Sequence, residues 1–182
     1  MDPKSPLDAA AVLKNIPRTG WLQRGVPPAV AETVAEHSFE VASILALIAV
    51  EAGDGLDGGK MLIMGIMHDW AEAVVGDIPK PATMRIGRET KSKVERGVIR
   101  EMSDAGGLGS LSELFNEYED GKTDEAVLAK IADLLSTTRQ ADVYLRAGYK
   151  VKDISDDCRK EITILIPKVK NGKARDAVGR LL

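Results

Sequence analysis

Apolar residues recur at helical spacing through most of the chain, and no segment alternates between apolar and polar positions as a half-buried strand would. This pattern, read with proline and glycine as element boundaries, predicts an all-α protein. The predicted helices cover residues 6–16, 32–52, 60–75, 88–105, 111–120, 124–147, 154–166 and 174–182. The proline-containing segments 17–28 and 77–87 are expected to be irregular loops.

The helix predicted over 60–75 carries an unusual polar group after its apolar run 61–67. Glu72 follows His68 by four residues and Asp69 by three, so a helix would direct all three side chains toward one patch. A buried carboxylate beside an imidazole is costly unless it is neutralised, and a divalent cation can neutralise it. From these residues alone, a hydrogen-bonded His–Asp pair in an ordinary core remains an alternative.

Composition limits the classes of protein to consider. The chain has 182 residues, of which 44% are hydrophobic and 29% are charged, typical of one globular domain spanning 1–182. A net charge of −3 and the lack of a long Lys or Arg run argue against nucleic-acid or membrane-surface binding. The apolar run 41–50 is too short to cross a bilayer, and the first residues lack a secretory core. The single cysteine, Cys158, excludes an internal disulfide and suggests a cytoplasmic protein.

Only two histidines occur in the chain, and the helix predicted over 32–52 carries the other one, His37. Together with a later Asp they give the order H, HD, D, a ligand set that a helical bundle can bring together. Asp133 and Asp142 share one predicted helix and are both candidates. Asp133 has apolar neighbours, where an unpaired carboxylate is costly, whereas Asp142 has Arg146 four residues later as a surface partner.

Four segments together resemble the HD-domain phosphohydrolases, and within them the HD-domain 5'-deoxynucleotidases and their uncharacterised relatives. These segments are residues 17–21, 33–38, 68–78 and 117–133. The resemblance implies a helical bundle of the HD-domain type, with its motif core over about 13–148 and C-terminal helices over 153–182. It also implies the metal ligands His37, His68, Asp69 and Asp133, and so selects Asp133 over Asp142.

The expected cofactor is one divalent metal ion per chain, because no second set of ligands is present. Two nitrogens and two carboxylate oxygens do not distinguish among Mn, Co, Fe, Ni and Zn. Glu72 is the candidate general acid or base, or else a carboxylate that orients a ligand. By resemblance Asp77 lies on the sugar side of the substrate, although it also suits a turn after a helix.

The resemblance assigns Arg18 to the substrate phosphate, although a loop Arg is otherwise usually a solvated charge. Trp21 is expected either to contact a nucleobase or to cover the mouth of the bundle. In the bacterial deoxynucleotidases Trp directly follows this Arg, whereas Thr19 and Gly20 intervene here. The departure places strict preference for deoxyribose in question.

The expected activity is removal of the 5'-phosphate from (deoxy)nucleoside monophosphates by a metal-activated water. The alternatives are a nucleotide-sensing module without turnover and a phosphohydrolase acting on another phosphate ester. A homodimer is also expected, because the resembling enzymes pair and the helix over 154–166 has an apolar face that one small domain does not fully cover.

Overall fold

A computed structural model describes residues 5–182, and the elements within that range are helices and turns, apart from one isolated β-bridge between Pro17 and Thr33. The helices are α1 (Pro6–Val12), α2 (Thr19–Leu22), α3 (Val34–Ala52), α4 (Gly58–Met67), α5 (Glu72–Val75), α6 (Lys80–Ile86), α7 (Arg88–Gly106), α8 (Gly109–Asp120), α9 (Asp124–Arg146), α10 (Lys152–Leu165) and α11 (Gly172–Leu181). Short 3-10 turns follow α1, α3 and α10. The predicted all-α class is confirmed.

Two long helices, α3 and α9, form the centre of the bundle. The start of α3 is fixed by a capping box, in which the Thr33 hydroxyl accepts from the Glu36 amide and the Glu36 carboxylate accepts from the Thr33 amide. Helix α9 begins in a similar way, with Thr123 accepting from the Ala126 amide. Helix α3 packs against α4, α9 and α11, and α9 also packs against α4, α8 and α10. The central pair therefore gives rigid support to any side chain that it carries.

The helix predicted over 60–75 is wrong as a single element. Helix α4 ends at Met67 and α5 begins at Glu72, with a turn between them. The Glu72 amide bonds the Asp69 carbonyl at 3.0 Å, three residues back rather than four. The His68 ring contacts the Gly65 carbonyl at 2.9 Å, where a continuous helix would receive the Asp69 amide. Asp69 and Glu72 are thus positioned by a tight turn instead of by helical spacing.

Each of the two segments predicted to be irregular contains a short helix, α2 within 17–28 and α6 within 77–87, so these predictions are wrong in part. Pro79 caps α6 in an extended conformation, and Pro81 occupies the second helical position, where its missing N–H costs nothing. Helix α6 contains no buried residue, which is why the hydrophobic pattern did not indicate it.

None of the helices in the described range combines the length and the apolar character that crossing a bilayer requires.

Candidate metal centre and substrate cavity

Helices α3, α4 and α9 bring the four sequence-predicted metal ligands together. His37 lies in the first turns of α3, His68 caps the C-terminal end of α4, Asp69 follows it, and Asp133 lies within α9. Ligand atoms of His37, His68 and Asp69 lie within 4.8 Å of one another. The Nε2 atom of His37 is 3.0 Å from Oδ1 of Asp133 and 3.9 Å from Oδ2 of Asp69. Two imidazoles and the Asp69 carboxylate therefore form one cluster, which Asp133 joins through His37.

His68 presents its buried Nε2 atom to this cluster. Its Nδ1 donates to the Gly65 carbonyl, so the proton of the neutral ring is on Nδ1 and Nε2 is free to accept. Nε2 is 3.1 Å from Oδ2 of Asp69, yet it is a buried polar atom without a hydrogen-bond partner among residues 5–182. A buried acceptor beside carboxylates fits coordination of a divalent cation.

The charged side chains around His37 and His68 favour binding of a cation. Burial acts to raise the pKa of Asp69, but His68, His37 and Arg18 outweigh it and hold that pKa well below its ordinary value. The pKa of Asp133 is also lowered, because the hydrogen bond from His37 outweighs burial. Burial acts to lower the pKa of His68, but the Asp69 charge raises it to about 9, so a metal ion at Nε2 would take the place of a proton. Both carboxylates are therefore ionised at neutral pH and attract positive charge.

A chain of polar contacts continues behind His37. Its Nδ1 is 3.1 Å from the Ser136 hydroxyl, which donates to Glu40 at 2.9 Å. Arg139 donates to the other oxygen of Glu40 at 3.0 Å. Glu40 thus reaches the imidazole through Ser136, whereas the neighbouring Glu36 is occupied by the cap of α3.

Arg18 lies beside the same imidazole and is largely buried. Its Nη1 is 2.8 Å from Nδ1 of His37, donates to the Thr137 hydroxyl at 3.1 Å, and lies 3.6 Å from a Glu32 carboxylate oxygen. Burial acts to lower the pKa of Arg18, but the charges of Glu32 and Asp133 outweigh it and raise the pKa. Arg18 is therefore a permanent buried cation at the edge of the metal centre.

Glu72 is 5% exposed, and its carboxyl group lies in a negative environment. Burial raises its pKa well above the ordinary value, and the nearby charges of Asp69 and Asp77 raise it further. The structure therefore favours the protonated form of Glu72, which can donate a proton.

Asp77 follows α5 and binds the segment that carries Arg18. Its carboxylate accepts from the Thr19 amide, and its carbonyl accepts from the Thr19 hydroxyl at 2.9 Å. Asp77 thereby ties the start of α2 to the end of α5, a structural contact that its sequence position did not reveal.

Trp21 is 2% exposed and belongs to a small apolar cluster apart from the main core. Its indole N–H donates to Glu32 at 3.0 Å, and its ring meets the Tyr144 ring edge-on at 5.2 Å. This burial fits a residue that closes the mouth of the bundle. Contact with a nucleobase stays a prediction.

A cavity of about 760 Å³ opens over the metal centre. Of the predicted site residues, it is lined by Arg18, Trp21, Asp69, Glu72, Asp77 and Asp133. It is also lined by residues that the sequence did not single out, among them Arg24, Lys80 and Lys91. Lys91 and Glu95 are spaced i, i+4, as in an exposed helical pair, so their sequence gave no sign of burial.

The chain is similar to known proteins in both sequence and structure. The family model described as "HD domain" matches residues 10–170. A 5'-deoxynucleotidase HDDC2 of Dictyostelium discoideum is 32% identical over 149 residues, which cover 78% of this chain and 76% of the relative. The human 5'-deoxynucleotidase HDDC2 is 31% identical over 147 residues, which cover 79% of this chain and 69% of the human protein.

Among solved structures, a conserved hypothetical protein from Pyrococcus furiosus matches with a TM-score of 0.79 at 32% identity, over 97% of this chain and 96% of that one. The PH0347 protein from Pyrococcus horikoshii matches with a TM-score of 0.77 at 33% identity, over 97% of this chain and 98% of that one. The similarity in fold thus extends over nearly the whole chain.

Proposed function

Since this chain belongs to the HD-domain family, we propose that it is a metal-dependent phosphohydrolase that removes the 5'-phosphate from deoxynucleoside monophosphates. The observation that carries this proposal is the cluster of His37, His68 and Asp69, with Asp133 3.0 Å from His37, beside a cavity that Arg18 also lines. The names of the relatives, 5'-deoxynucleotidases from several organisms, support the choice of substrate class.

The proposed ligands are Nε2 of His37, Nε2 of His68 and one oxygen each of Asp69 and Asp133. Nδ1 of His37 faces Nη1 of Arg18 at 2.8 Å, and a guanidinium only donates, so Nδ1 accepts and the ring proton is on Nε2, toward Asp133. A metal ion bound at Nε2 would take the place of that proton. A divalent ion held there would lower the pKa of a bound water and withdraw charge from a phosphate oxygen. The donor set suits one ion per chain, with Mn, Co, Fe, Ni and Zn as candidates.

Arg18 is the proposed phosphate ligand, because a guanidinium donates to two oxygens of a phosphate at once. Its contacts with Thr137 and Glu32 hold it at the edge of the cavity before the substrate arrives. Positioning of this kind reduces the entropy lost on binding.

Glu72 is the proposed proton donor. When water attacks phosphorus and the bond from phosphorus to the 5'-oxygen breaks, that oxygen needs a proton, and a protonated Glu72 can supply it. The nucleoside and inorganic phosphate are then released. Asp77 is proposed to hold the Arg18 segment while its cavity-facing side meets the sugar.

A homodimer and a cytoplasmic location complete the proposal. Exposed apolar side chains of α3 and α4, including Phe39 and Ile66, support the dimer. The location depends on cysteine usage alone and stays a prediction.

The test is phosphate release from a panel of deoxyribo- and ribonucleoside 5'-monophosphates, after EDTA stripping and reloading with Mn, Co, Mg or Zn. We expect activity with one metal ion bound per chain by elemental analysis. The Glu72→Gln variant should keep the metal while its turnover falls by about 10² to 10⁴. Loss of metal in this variant would show that Glu72 is a ligand and not the proton donor.

A further inference from the structure

Lys91 brings another cation to the substrate cavity from a different element. It lies near the start of α7, whereas Arg18 precedes α2, and both line the cavity together with Asp69 and Glu72. The Lys91 side chain is only 23% exposed. Most lysines remain in solvent, so this placement calls for a physical reason.

Glu95, one turn further along α7, fixes the position of Lys91. The ammonium group lies 2.6 Å from the Glu95 carboxylate, which is itself buried. Buried ion pairs are often no more stabilising than well-packed apolar residues, so stability is a weak explanation for this one. An ammonium group has three N–H donors, and the contact with Glu95 uses one of them. Donors therefore remain for an acceptor that enters the cavity.

Lys91 carries its positive charge into the part of the cavity that Asp69 also lines. Burial acts to lower the pKa of Lys91, but Glu95 and Asp69 outweigh it and raise the pKa. Lys91 is therefore a cation at neutral pH and does not serve as a base. Lys91 lines the same cavity as Arg18 and Asp69, beside which the phosphate is proposed to bind.

We propose that Lys91 is a second phosphate-binding residue, which donates to a phosphoryl oxygen of the substrate and of the product while Glu95 holds its ammonium group in place. This inference rests on the proposed function, which puts a phosphate monoester in the cavity. Such a dianion spreads its charge over three strong acceptor oxygens, each with more than one lone pair, so it can accept from Lys91 as well as from Arg18.

The test compares Lys91→Met with Lys93→Met, because Lys93 is an exposed lysine on the same helix and does not line this cavity. Inorganic phosphate is titrated into the metal-loaded proteins by calorimetry, and kcat and KM are measured with the best substrate of the panel. We expect Lys91→Met to weaken phosphate binding by about 10- to 100-fold, the effect of a lost charge-assisted hydrogen bond. Lys93→Met should change it less than about twofold.

Lys91→Met alone leaves Glu95 buried without its partner, so it should also lower the melting temperature. The double variant Lys91→Met/Glu95→Met removes both charges and should recover most of the melting temperature without recovering phosphate affinity. Recovery of both would overturn the proposal, because the pair would then be structural. Phosphate binding by Lys91→Met within twofold of wild type would overturn it as well.

The proposed function fails separately, if the wild type releases phosphate from no nucleotide with any metal. The phosphate titration still measures the role of Lys91 in that case.

Discussion

Arg18 and Lys91, two partly buried cations of the cavity, each have a buried carboxylate beside them that is not a proposed metal ligand. Glu32 accompanies Arg18, and Glu95 accompanies Lys91. Glu32 also accepts from the Trp21 indole, so it joins the Arg18 segment to the apolar cluster around Trp21. These carboxylates fix where positive charge is placed before a phosphate binds.

Arg18→Ala should mainly weaken substrate binding, because a phosphate contact acts on the ground state and the transition state alike. We expect KM to rise about 10- to 100-fold with a smaller change in kcat. Steady-state kinetics on wild type, Arg18→Ala and the exposed-site control Arg100→Ala would measure this. A fall in kcat at unchanged KM would mean that Arg18 acts only in the transition state.

The raised pKa of Glu72 predicts a stability effect that depends on pH. Burial and the charges of Asp69 and Asp77 make the folded protein hold the Glu72 proton more tightly than the unfolded chain does. Stability contributed by this group is therefore present below the ordinary pKa of Glu and is lost as pH rises through the raised pKa. Glu72→Gln cannot ionise and avoids this loss.

Urea unfolding in EDTA between pH 4 and pH 8 would test this prediction. The stability of Glu72→Gln relative to wild type should increase with pH across that range. A difference that is constant with pH would show that Glu72 titrates normally in the folded protein.

At the scale of elements, the crossing of α3 and α4 sets the distance between the two imidazoles. Gly65 lies at this crossing, and a Cβ atom there would lie 2.7 Å from Cδ1 of Leu45 and 3.1 Å from Cα of Ala42. The Leu45 side chain can move, but the α3 backbone at Ala42 must also shift by a few tenths of an ångström. The Gly65 carbonyl, moreover, holds the ring of His68.

Gly65→Ala should therefore lower both stability, by about 1 to 3 kcal/mol, and metal affinity, because it displaces the helices that carry His37 and His68. Gly97→Ala is the matched control, since a Cβ atom there meets nothing within 4 Å in the described structure and lies inside α7. This control should be neutral or stabilising by about 0.5 to 1 kcal/mol. Equal effects of the two substitutions on metal affinity would contradict the prediction.

Element boundaries were predictable where proline, glycine or a cap marks them, as at Thr33 and at the glycine that follows α7. The turn after α4 was not predictable, because residues 68–71 contain neither Gly nor Pro. What accompanies the turn is a contact between the His68 ring and the Gly65 carbonyl, which no local pattern announces. Helix α6 was not predicted, because none of its residues is buried and its sequence therefore lacks an apolar face that packs on the core.

The candidate site was predictable as far as its residues follow the HD pattern. His37, His68, Asp69 and Asp133 were identified in that way. The first three lie in one cluster and Asp133 contacts His37, while their role as metal ligands stays a prediction. Lys91 was not identified, because the sequence of α7 is charged and resembles a solvent-exposed helix. Its burial follows from the position of α7 against α5, which is long-range information.

At the scale of the whole molecule, an apolar groove between α1, α3 and α4 is the surface on which we expect the homodimer to form. Phe39 is 75% exposed and Ile66 is 48% exposed, and both line this groove. The face expected from the sequence, on α10, has Ile162 buried and Ile164 exposed. The groove therefore offers more continuous apolar surface than α10 does.

Light scattering at micromolar concentration should give the mass of a dimer for the wild type and of a monomer for Phe39→Glu. Ile164→Glu should remain a dimer and serves as the control for the α10 face. If only Ile164→Glu dissociated the dimer, the interface would lie on α10. A monomeric wild type would exclude the dimer.

The scarcity of histidine has a practical consequence for spectroscopy. Both histidines of the 182-residue chain belong to the candidate metal centre, and their ring centroids are 5.4 Å apart. In a tag-free sample, every imidazole signal of the proton NMR spectrum comes from this centre. Zinc is diamagnetic, so a zinc titration would report occupancy of both rings directly, without isotope assignment or mutagenesis.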